Sequence, residues 1–277
     1  MKKSVKVICL IMTVLLMMGV LTGCGDSGSS ANSNSCTVTY HYNADGMADQ
    51  KVTHTKDSRL TTETPERDGY SLLGWYTDEA LTQSFSSGTK VSEDLNLYAK
   101  WGKCYTLEAE YVDLSAFHGQ GFSGGCDGAQ AISQDKANLG ASNGVYLTYM
   151  YNQGLSITFE FTSDAAVSDA TVILRLSAEI MDIQFSSSDF TVALNGKALS
   201  YSDISLKDGQ NFEDFEVGTN CKLNEGTNTI TLTTTNNKAM AGTMYATAPI
   251  IDCVKIVSSS NIAMVEHQEN MNKFSMD

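Results

Sequence analysis

Short runs of alternating apolar and polar residues, separated by turns, are the feature that most constrains the fold of this chain. Residues 103–257 contain eight such runs: CYTLEAEYV, NGVYLTYM, LSITFEF, ATVILRLSA, FTVALNG, FEVGTNCKL, NTITLTTT and IIDCVKIV. Each has the two-residue period or the β-branched content of a strand, and glycine, asparagine or aspartate turns separate them. The pattern predicts an all-β chain with a jelly-roll β-sandwich over residues 103–257.

The charge of the chain excludes one class of partner. The formal net charge is −14, and a strongly negative surface disfavours nucleic acid and other polyanions. The same surface is compatible with a neutral ligand or with divalent cations. We therefore expect no nucleic-acid partner.

The N-terminal segment has the organisation of an export signal. Three lysines precede an uncharged apolar run over residues 7–21, which is shorter than the roughly 20 residues that a spanning helix needs. The run ends in LTGC, whose cysteine is Cys24, and this sequence resembles the lipobox of bacterial lipoproteins. The resemblance implies a signal peptide over residues 1–23, cleavage before Cys24 and a diacylglyceryl group on its sulfur.

Acylation would place the protein on the extracellular face of the cell membrane. Each buried methylene contributes about 0.8 kcal/mol, and two or more acyl chains make retention stable. Cleavage would remove three lysines and no acid, which changes the net charge from −14 to −17. Residues 24–35 are rich in Ser, Gly and Asn, so after the lipidated cysteine we expect a flexible linker.

Residues 36–102 form a separate β-rich unit. The segments VTYHYN, RDGYSLLGWYTD and LNLYAKW have strand patterns, with turns between them. In order and spacing they resemble the internalin-type B repeat, also called the Listeria–Bacteroides repeat. The resemblance implies a small β-grasp-like domain that acts as a spacer or adhesive module. We expect Trp75 and Trp101 in its core, because aromatic residues dominate small cores.

The sandwich segment also resembles a known family. TLEAEYV, SNGVYLTYMYNQG, FTVALNGKAL, LNEGTNTITL and APIIDCVKI follow the order of carbohydrate-binding modules of families 6 and 35. The resemblance implies a carbohydrate ligand and leaves residues 258–277 as a C-terminal tail with no assigned role.

A cation site is predicted at the first strand of the sandwich. Glu108 and Glu110 lie two residues apart, so in a strand both project from one face, about 6.6 Å apart. A Ca²⁺ ion, which takes oxygen ligands at about 2.3–2.6 Å, would relieve their repulsion, with Asp252 as the candidate third ligand. The family resemblance places its structural calcium on the same three residues. The alternative is a pair of solvated surface acids.

A sugar site is predicted in the loops at one end of the sandwich. Stacking on a pyranose requires an aromatic ring, and the sugar hydroxyls require fixed polar groups. The family resemblance matches Tyr149 to the stacking tyrosine, with Tyr151 and Tyr146 as alternatives.

The rest of the sugar site is matched less closely. The resemblance assigns the second aromatic to Phe212 or Phe215 and the ligand-binding asparagine to Asn236 or Asn237. Both tryptophans of the chain lie in the repeat, so the sandwich has no tryptophan to stack on a sugar, and its second platform is weakened.

Five cysteines remain outside the signal peptide and the lipobox, and their number is odd. Spacing does not fix their connectivity, so disulfides and buried thiols both stay open. These residues are Cys36, Cys104, Cys126, Cys221 and Cys253.

We find no catalytic constellation in the sequence. A nucleophile elbow, a His-Glu-x-x-His motif and a pair of acids facing each other across a cleft are all missing. The sequence therefore predicts a non-catalytic surface lipoprotein that binds carbohydrate. Two alternatives remain: a structural or adhesive protein that binds a protein partner, and an accessory subunit of a polysaccharide-degrading complex.

Overall fold

A computed structural model describes residues 34–121, 124–179, 181–236 and 248–274. Ser35–Asp277 forms one compact unit. The predicted signal peptide and Cys24 lie outside the described residues.

The repeat contains short strands that lead into one long strand. These are β1 (Ser35–His41), β2 (Gln50–Thr55), β3 (Ser58–Leu60), β4 (Tyr70–Tyr76), β5 (Ser84–Phe85), β6 (Thr89–Val91) and β7 (Leu95–Glu108). A 3-10 helix, Ala109–Tyr111, follows β7.

In the described part of the sandwich there are fourteen further strands. They are β8 (His118–Gly121), β9 (Gly124–Asp127), β10 (Ile132–Gln134), β11 (Val145–Leu147), β12 (Ser156–Ser163), β13 (Val167–Ser177), β14 (Ile183–Phe185), β15 (Phe190–Leu194), β16 (Lys197–Ala198), β17 (Ile204–Leu206), β18 (Glu213–Leu223), β19 (Gly226–Thr234), β20 (Ile250–Ser258) and β21 (Ile262–Met264). Two more 3-10 helices are Gly128–Ala131 and Gln268–Phe274.

Two sheets face each other in the sandwich. One has the order β16-β15-β19-β12-β21, and the other contains β18, β13, β20 and β7, with β11 and β10 beyond. Residues of β12 alternate strictly between exposed and buried, which places Phe159 and Phe161 in the core between the sheets. Such alternation is what a sheet with one solvated face requires. The all-β fold and the jelly-roll sandwich are therefore confirmed.

Strand β7 belongs to both parts of the chain. Its first half pairs in parallel with β1 and antiparallel with β4, and its second half pairs antiparallel with β20. The strand thus runs without interruption through the predicted boundary between residues 102 and 103.

The repeat has its own small core. Trp75 is buried together with Tyr40 and Leu97, and Trp101 packs against the same cluster. The Trp75 indole donates to the Glu63 carbonyl over 2.9 Å. The prediction that both tryptophans pack in the core is confirmed.

The structure also resolves the open question about cysteine. Cys36, Cys104, Cys221 and Cys253 carry free thiols, and all except Cys104 are buried. Cys221 and Cys253 lie opposite different residues of β13, so the strand pairing does not make them neighbours.

Candidate functional site

The segment after β11 forms one end of the sandwich together with the end of β19. The Thr234 hydroxyl donates to the Met150 carbonyl over 2.6 Å, and the Gln153 amide donates to the Thr235 carbonyl over 3.1 Å. These bonds fasten the loop to β19.

Tyr149 has an unusual backbone conformation in this loop. Its φ is 65°, in the left-handed region that costs a residue with a side chain on the order of 1 kcal/mol. A Cβ added to Gly119 would lie 2.8 Å from the Tyr149 carbonyl, so the β8–β9 hairpin packs closely on it. The Tyr149 ring is half-buried, and its centroid lies 6.5 Å from that of Tyr151. The loop therefore holds a partly exposed aromatic ring in place.

Two other predicted sugar contacts are interior residues. Tyr151 is 3% exposed and Phe212 is 4% exposed. The Phe212 ring packs on Tyr146, with 5.6 Å between the centroids, in a small cluster that includes Ile250. A ring this deeply buried cannot stack on a pyranose, so the assignment of Phe212 and Tyr151 as platforms is corrected to core packing. The alternative, Phe215, is half-buried against the main core.

The predicted asparagine lies close to the same end. Asn236 follows β19, and both its side-chain amide and its backbone N–H donate to the Asp189 carbonyl over 3.0 Å. These bonds fix the turn before β15. The role of Asn236 toward a ligand stays a prediction, and Asn237 lies outside the described residues.

Glu179 is a polar residue of this end that the sequence did not reveal. It is exposed, and it accepts hydrogen bonds from Tyr146 at 3.3 Å, Thr148 at 2.8 Å and Tyr151 at 3.1 Å. Burial and then the charges of Cys126 and Glu179 raise the pKa of Tyr149, so that ring lies within range of the carboxylate. A lone glutamate after a strand has no spacing signature, and only the fold brings these hydroxyls to it.

A second group of polar residues surrounds the three predicted cation ligands. Glu108 ends β7 and lies opposite Cys253 of β20, so Asp252 is close by. Glu110 lies in the 3-10 helix that follows β7, which corrects the expectation that both glutamates project from one strand. The helical turn, rather than the strand period, directs Glu110 toward the group.

Hydrogen bonds connect this acidic cluster to the turn before β11. The Ser142 backbone N–H and hydroxyl both donate to Asp252 Oδ1 over 2.8 Å, and the same hydroxyl lies 2.6 Å from Glu108 Oε2. Arg175 Nε contacts Asp252 Oδ2 at 2.8 Å. Both oxygens of Asp252 are thus occupied by protein donors, and these partners are visible only once β11 and β13 are placed beside β20.

Glu110 is the least satisfied member of the cluster. Its Oε1 accepts a hydrogen bond from Asn143 at 2.7 Å, whereas its Oε2 is buried without a hydrogen-bond partner in the described part of the chain. Burial raises the pKa of Glu110 to about 7, and the charges of Glu108 and Asp252 add to this effect. Burial also raises the pKa of Glu108, against a hydrogen bond from Ser142.

Within the described ranges, no set of three or more His, Cys, Asp or Glu side chains is arranged to hold a metal ion as placed. In the same residues, no helix has the length and apolar character needed to cross a bilayer.

Comparisons with known proteins confirm the repeat. Residues 37–100 match the family model of the Listeria-Bacteroides repeat domain. Two proteins of Evansella cellulosilytica, whose names describe a membrane protein and a Gly-rich membrane protein, are 24% identical over 169 residues and 26% identical over 135 residues. These matches cover 57% and 44% of this chain but only 23% and 14% of the relatives.

The chain is also similar to solved structures over 58% of its length. A family 35 carbohydrate binding module from an environmental isolate is 14% identical, with a TM-score of 0.39, and the match covers 58% of this chain and 98% of the module. A Podospora anserina GH26-CBM35 β-(1,4)-mannanase is 22% identical, with a TM-score of 0.38, and the match covers 58% of this chain and 28% of the enzyme.

Proposed function

We propose that this chain is a non-catalytic surface lipoprotein that binds carbohydrate at the end of its sandwich formed by the Tyr149 loop and the end of β19. The observation that carries the proposal is the strained, partly exposed Tyr149 beside the exposed carboxylate of Glu179. Strain of this kind persists where surrounding bonds enforce it, and it is concentrated at ligand sites. An aromatic ring with a nearby fixed acceptor is the arrangement that sugar recognition requires.

The sequence resemblance to carbohydrate-binding modules supports the same ligand class. It covers most of residues 103–257, independently of the geometry of Tyr149.

The anchor is supported by the lipobox at Cys24 and by the two relatives named as membrane proteins. A cysteine-to-serine change at Cys24 should release the protein from the membrane fraction of an expressing bacterium.

A glycan array tests the carbohydrate proposal. We expect the wild-type protein to retain a subset of glycans and Tyr149→Ala to lose at least tenfold in affinity, because the stacking face is removed. The control is Tyr70→Ala, which removes an exposed tyrosine of the repeat. Retention of no glycan by the wild type, or equal retention by Tyr149→Ala, would contradict the proposal. Because the proposed function is non-catalytic, incubation of the protein with a retained glycan should release no cleavage product.

We also propose that a calcium ion binds the acidic cluster. The orphaned Glu110 Oε2 and the repulsion among Glu108, Glu110 and Asp252 support a cation there, since oxygen ligands of this kind suit Ca²⁺. As placed, Asp252 is bonded to Ser142 and Arg175, so calcium would compete with these donors. Its role would be structural, by joining β7 to β20.

Thermal unfolding tests the calcium proposal. Calcium should raise the melting temperature of the wild type, because a ligand that binds only the folded state stabilises it. A chelator should reverse this increase. The melting temperature of Glu110→Gln should change neither with calcium nor with the chelator. Equal calcium shifts in the wild type and in Glu110→Gln would refute the site.

A further inference from the structure

The carboxylate of Glu179 is fixed from inside the protein while its residue faces solvent. Its three hydrogen-bond donors, Tyr146, Thr148 and Tyr151, are 7%, 1% and 3% exposed, respectively. They come from β11 and from the loop that follows it, whereas Glu179 follows β13. Two separate segments therefore hold one exposed carboxylate in place, whereas a solvated surface glutamate requires no such hydrogen bonds from the protein.

The hydrogen bonds leave part of this carboxylate unused. A carboxylate has about four acceptor positions. Thr148 and Tyr151 donate to Oε2, and Tyr146 donates to Oε1. Oε1 therefore retains an open acceptor position in the described part of the chain. Among the described residues, no Lys, Arg or His side chain forms an ion pair with Glu179.

Tyr149 lies near the Glu179 carboxylate. Its ring contacts that of Tyr151 edge-on, and Tyr151 donates to Glu179. The strained backbone of Tyr149 and the fixed carboxylate thus belong to one surface of the sandwich end. A sugar stacked on Tyr149 would therefore lie near the Glu179 carboxylate.

Resting on the proposed function, we infer that Glu179 determines the specificity of the site by accepting a hydroxyl of the bound sugar, so that the ligand is a neutral glycan and not a uronate. Hydrogen bonds to charged acceptors are stronger than neutral ones. A sugar carboxylate at the same place would meet a fixed negative charge without a compensating cation, and like charges in contact disfavour binding. The net charge of −14 also disfavours the binding of an anionic sugar.

Paired neutral and acidic probes test this inference by titration calorimetry. The neutral probe is a galacto-oligosaccharide or gluco-oligosaccharide retained on the array, and the acidic probe is the uronate oligomer with the same linkage and length. We expect the wild type to bind the neutral probe at least tenfold more tightly. Glu179→Gln, which keeps the shape and one acceptor oxygen, should weaken neutral binding about tenfold and reduce the discrimination against the uronate.

The matched control is Glu225→Gln. Glu225 is an exposed glutamate two residues after Leu223, which pairs with Val167 at the opposite end of β13. The control therefore changes the net charge equally without touching the site. A melting temperature within a few degrees of the wild type establishes that Glu179→Gln folds. Equal or better wild-type binding of the uronate, with binding still lost in Tyr149→Ala, would overturn the specificity inference alone. Binding of neither probe by the wild type would overturn the proposed function and the inference with it.

Discussion

At the scale of single residues, Glu110 is the clearest conflict between burial and charge. It is fully buried, and one of its oxygens has no hydrogen-bond partner among the described residues. In water its carboxyl would lose its proton near pH 4.5, whereas in the folded protein the pKa is raised to about 7. The folded state therefore binds a proton that the unfolded state has released between these two values.

This difference predicts a pH dependence of stability in the metal-free protein. Because the folded state holds the extra proton, the Glu110 contribution is fully present below about pH 4.5 and is lost as the pH rises through about 7. One pKa unit corresponds to about 1.4 kcal/mol, so Glu110→Gln should be more stable than the wild type at pH 8 by about 1–3 kcal/mol. Chemical denaturation in chelator measures this difference.

The comparison across pH provides its own control. Near pH 5 the two proteins should differ little, since the wild-type carboxyl is then protonated. Calcium at pH 8 should restore the stability of the wild type and leave the stability of Glu110→Gln unchanged. A difference that is the same at pH 5 and pH 8 would show that Glu110 does not titrate as described.

The residues of the two sites differ in how far the sequence could predict them. The sequence predicts Glu108, Glu110 and Asp252 as one group, and the fold brings them together, although Glu110 reaches the group from a 3-10 turn and not by the strand period. Their donors, Ser142 and Arg175, lie on segments that reach Asp252 only through sheet pairing. The prediction for Phe212 is wrong because an aromatic residue in a loop has the same sequence appearance whether it points outward or into the core.

At the scale of elements, the C-terminal tail closes over the turn that carries Glu110. Strand β21 extends the sheet along β12, and the Gln268–Phe274 helix packs on the core through Met271 and Phe274. The backbone N–H of His267 donates to the Tyr111 carbonyl over 2.8 Å. The sequence predicts no role for this tail, because elements this short are defined by what they pack against.

Asn270 is the central contact of this tail. Its amide donates to the carbonyls of Glu110 and Val112 over 2.9 and 2.8 Å, and the residue is buried. Asn270→Ala would leave two buried carbonyls without these donors, which costs about 1–3 kcal/mol. We expect the melting temperature to fall by roughly 3–10 °C.

The calcium response of the same variant separates positioning from simple loss of stability. If Asn270 positions Glu110, the calcium-induced shift should shrink in Asn270→Ala. Gln268→Ala, an exposed change in the same helix, should preserve both the melting temperature and the shift. An unchanged melting temperature in Asn270→Ala would show that the tail does not hold the turn.

At the scale of the whole molecule, β7 makes the repeat and the sandwich share one strand. Lys100 forms an ion pair with Asp169 across this junction, and Lys103 pairs with Ser258 of β20. The two patterns in the sequence predict two β-rich units, and each of the two segments has its own core cluster within one compact unit. They could not predict the shared strand, because alternation continues unchanged from one unit into the other.

Gly102 tests whether the shared strand transmits stability between the two cores. A Cβ there would lie 2.7 Å from Val257 Cγ1 and 3.1 Å from Leu73 Cδ1, and overpacking of this kind costs about 1–3 kcal/mol. Tryptophan fluorescence reports only on the repeat, since both tryptophans lie there, while calorimetry reports on the whole chain. Gly102→Ala should lower both transitions together, whereas Gly125→Ala, whose Cβ would meet nothing within 4 Å, should change neither. A fluorescence transition that moves while the main calorimetric peak stays in place would mean that the two cores unfold independently despite sharing β7.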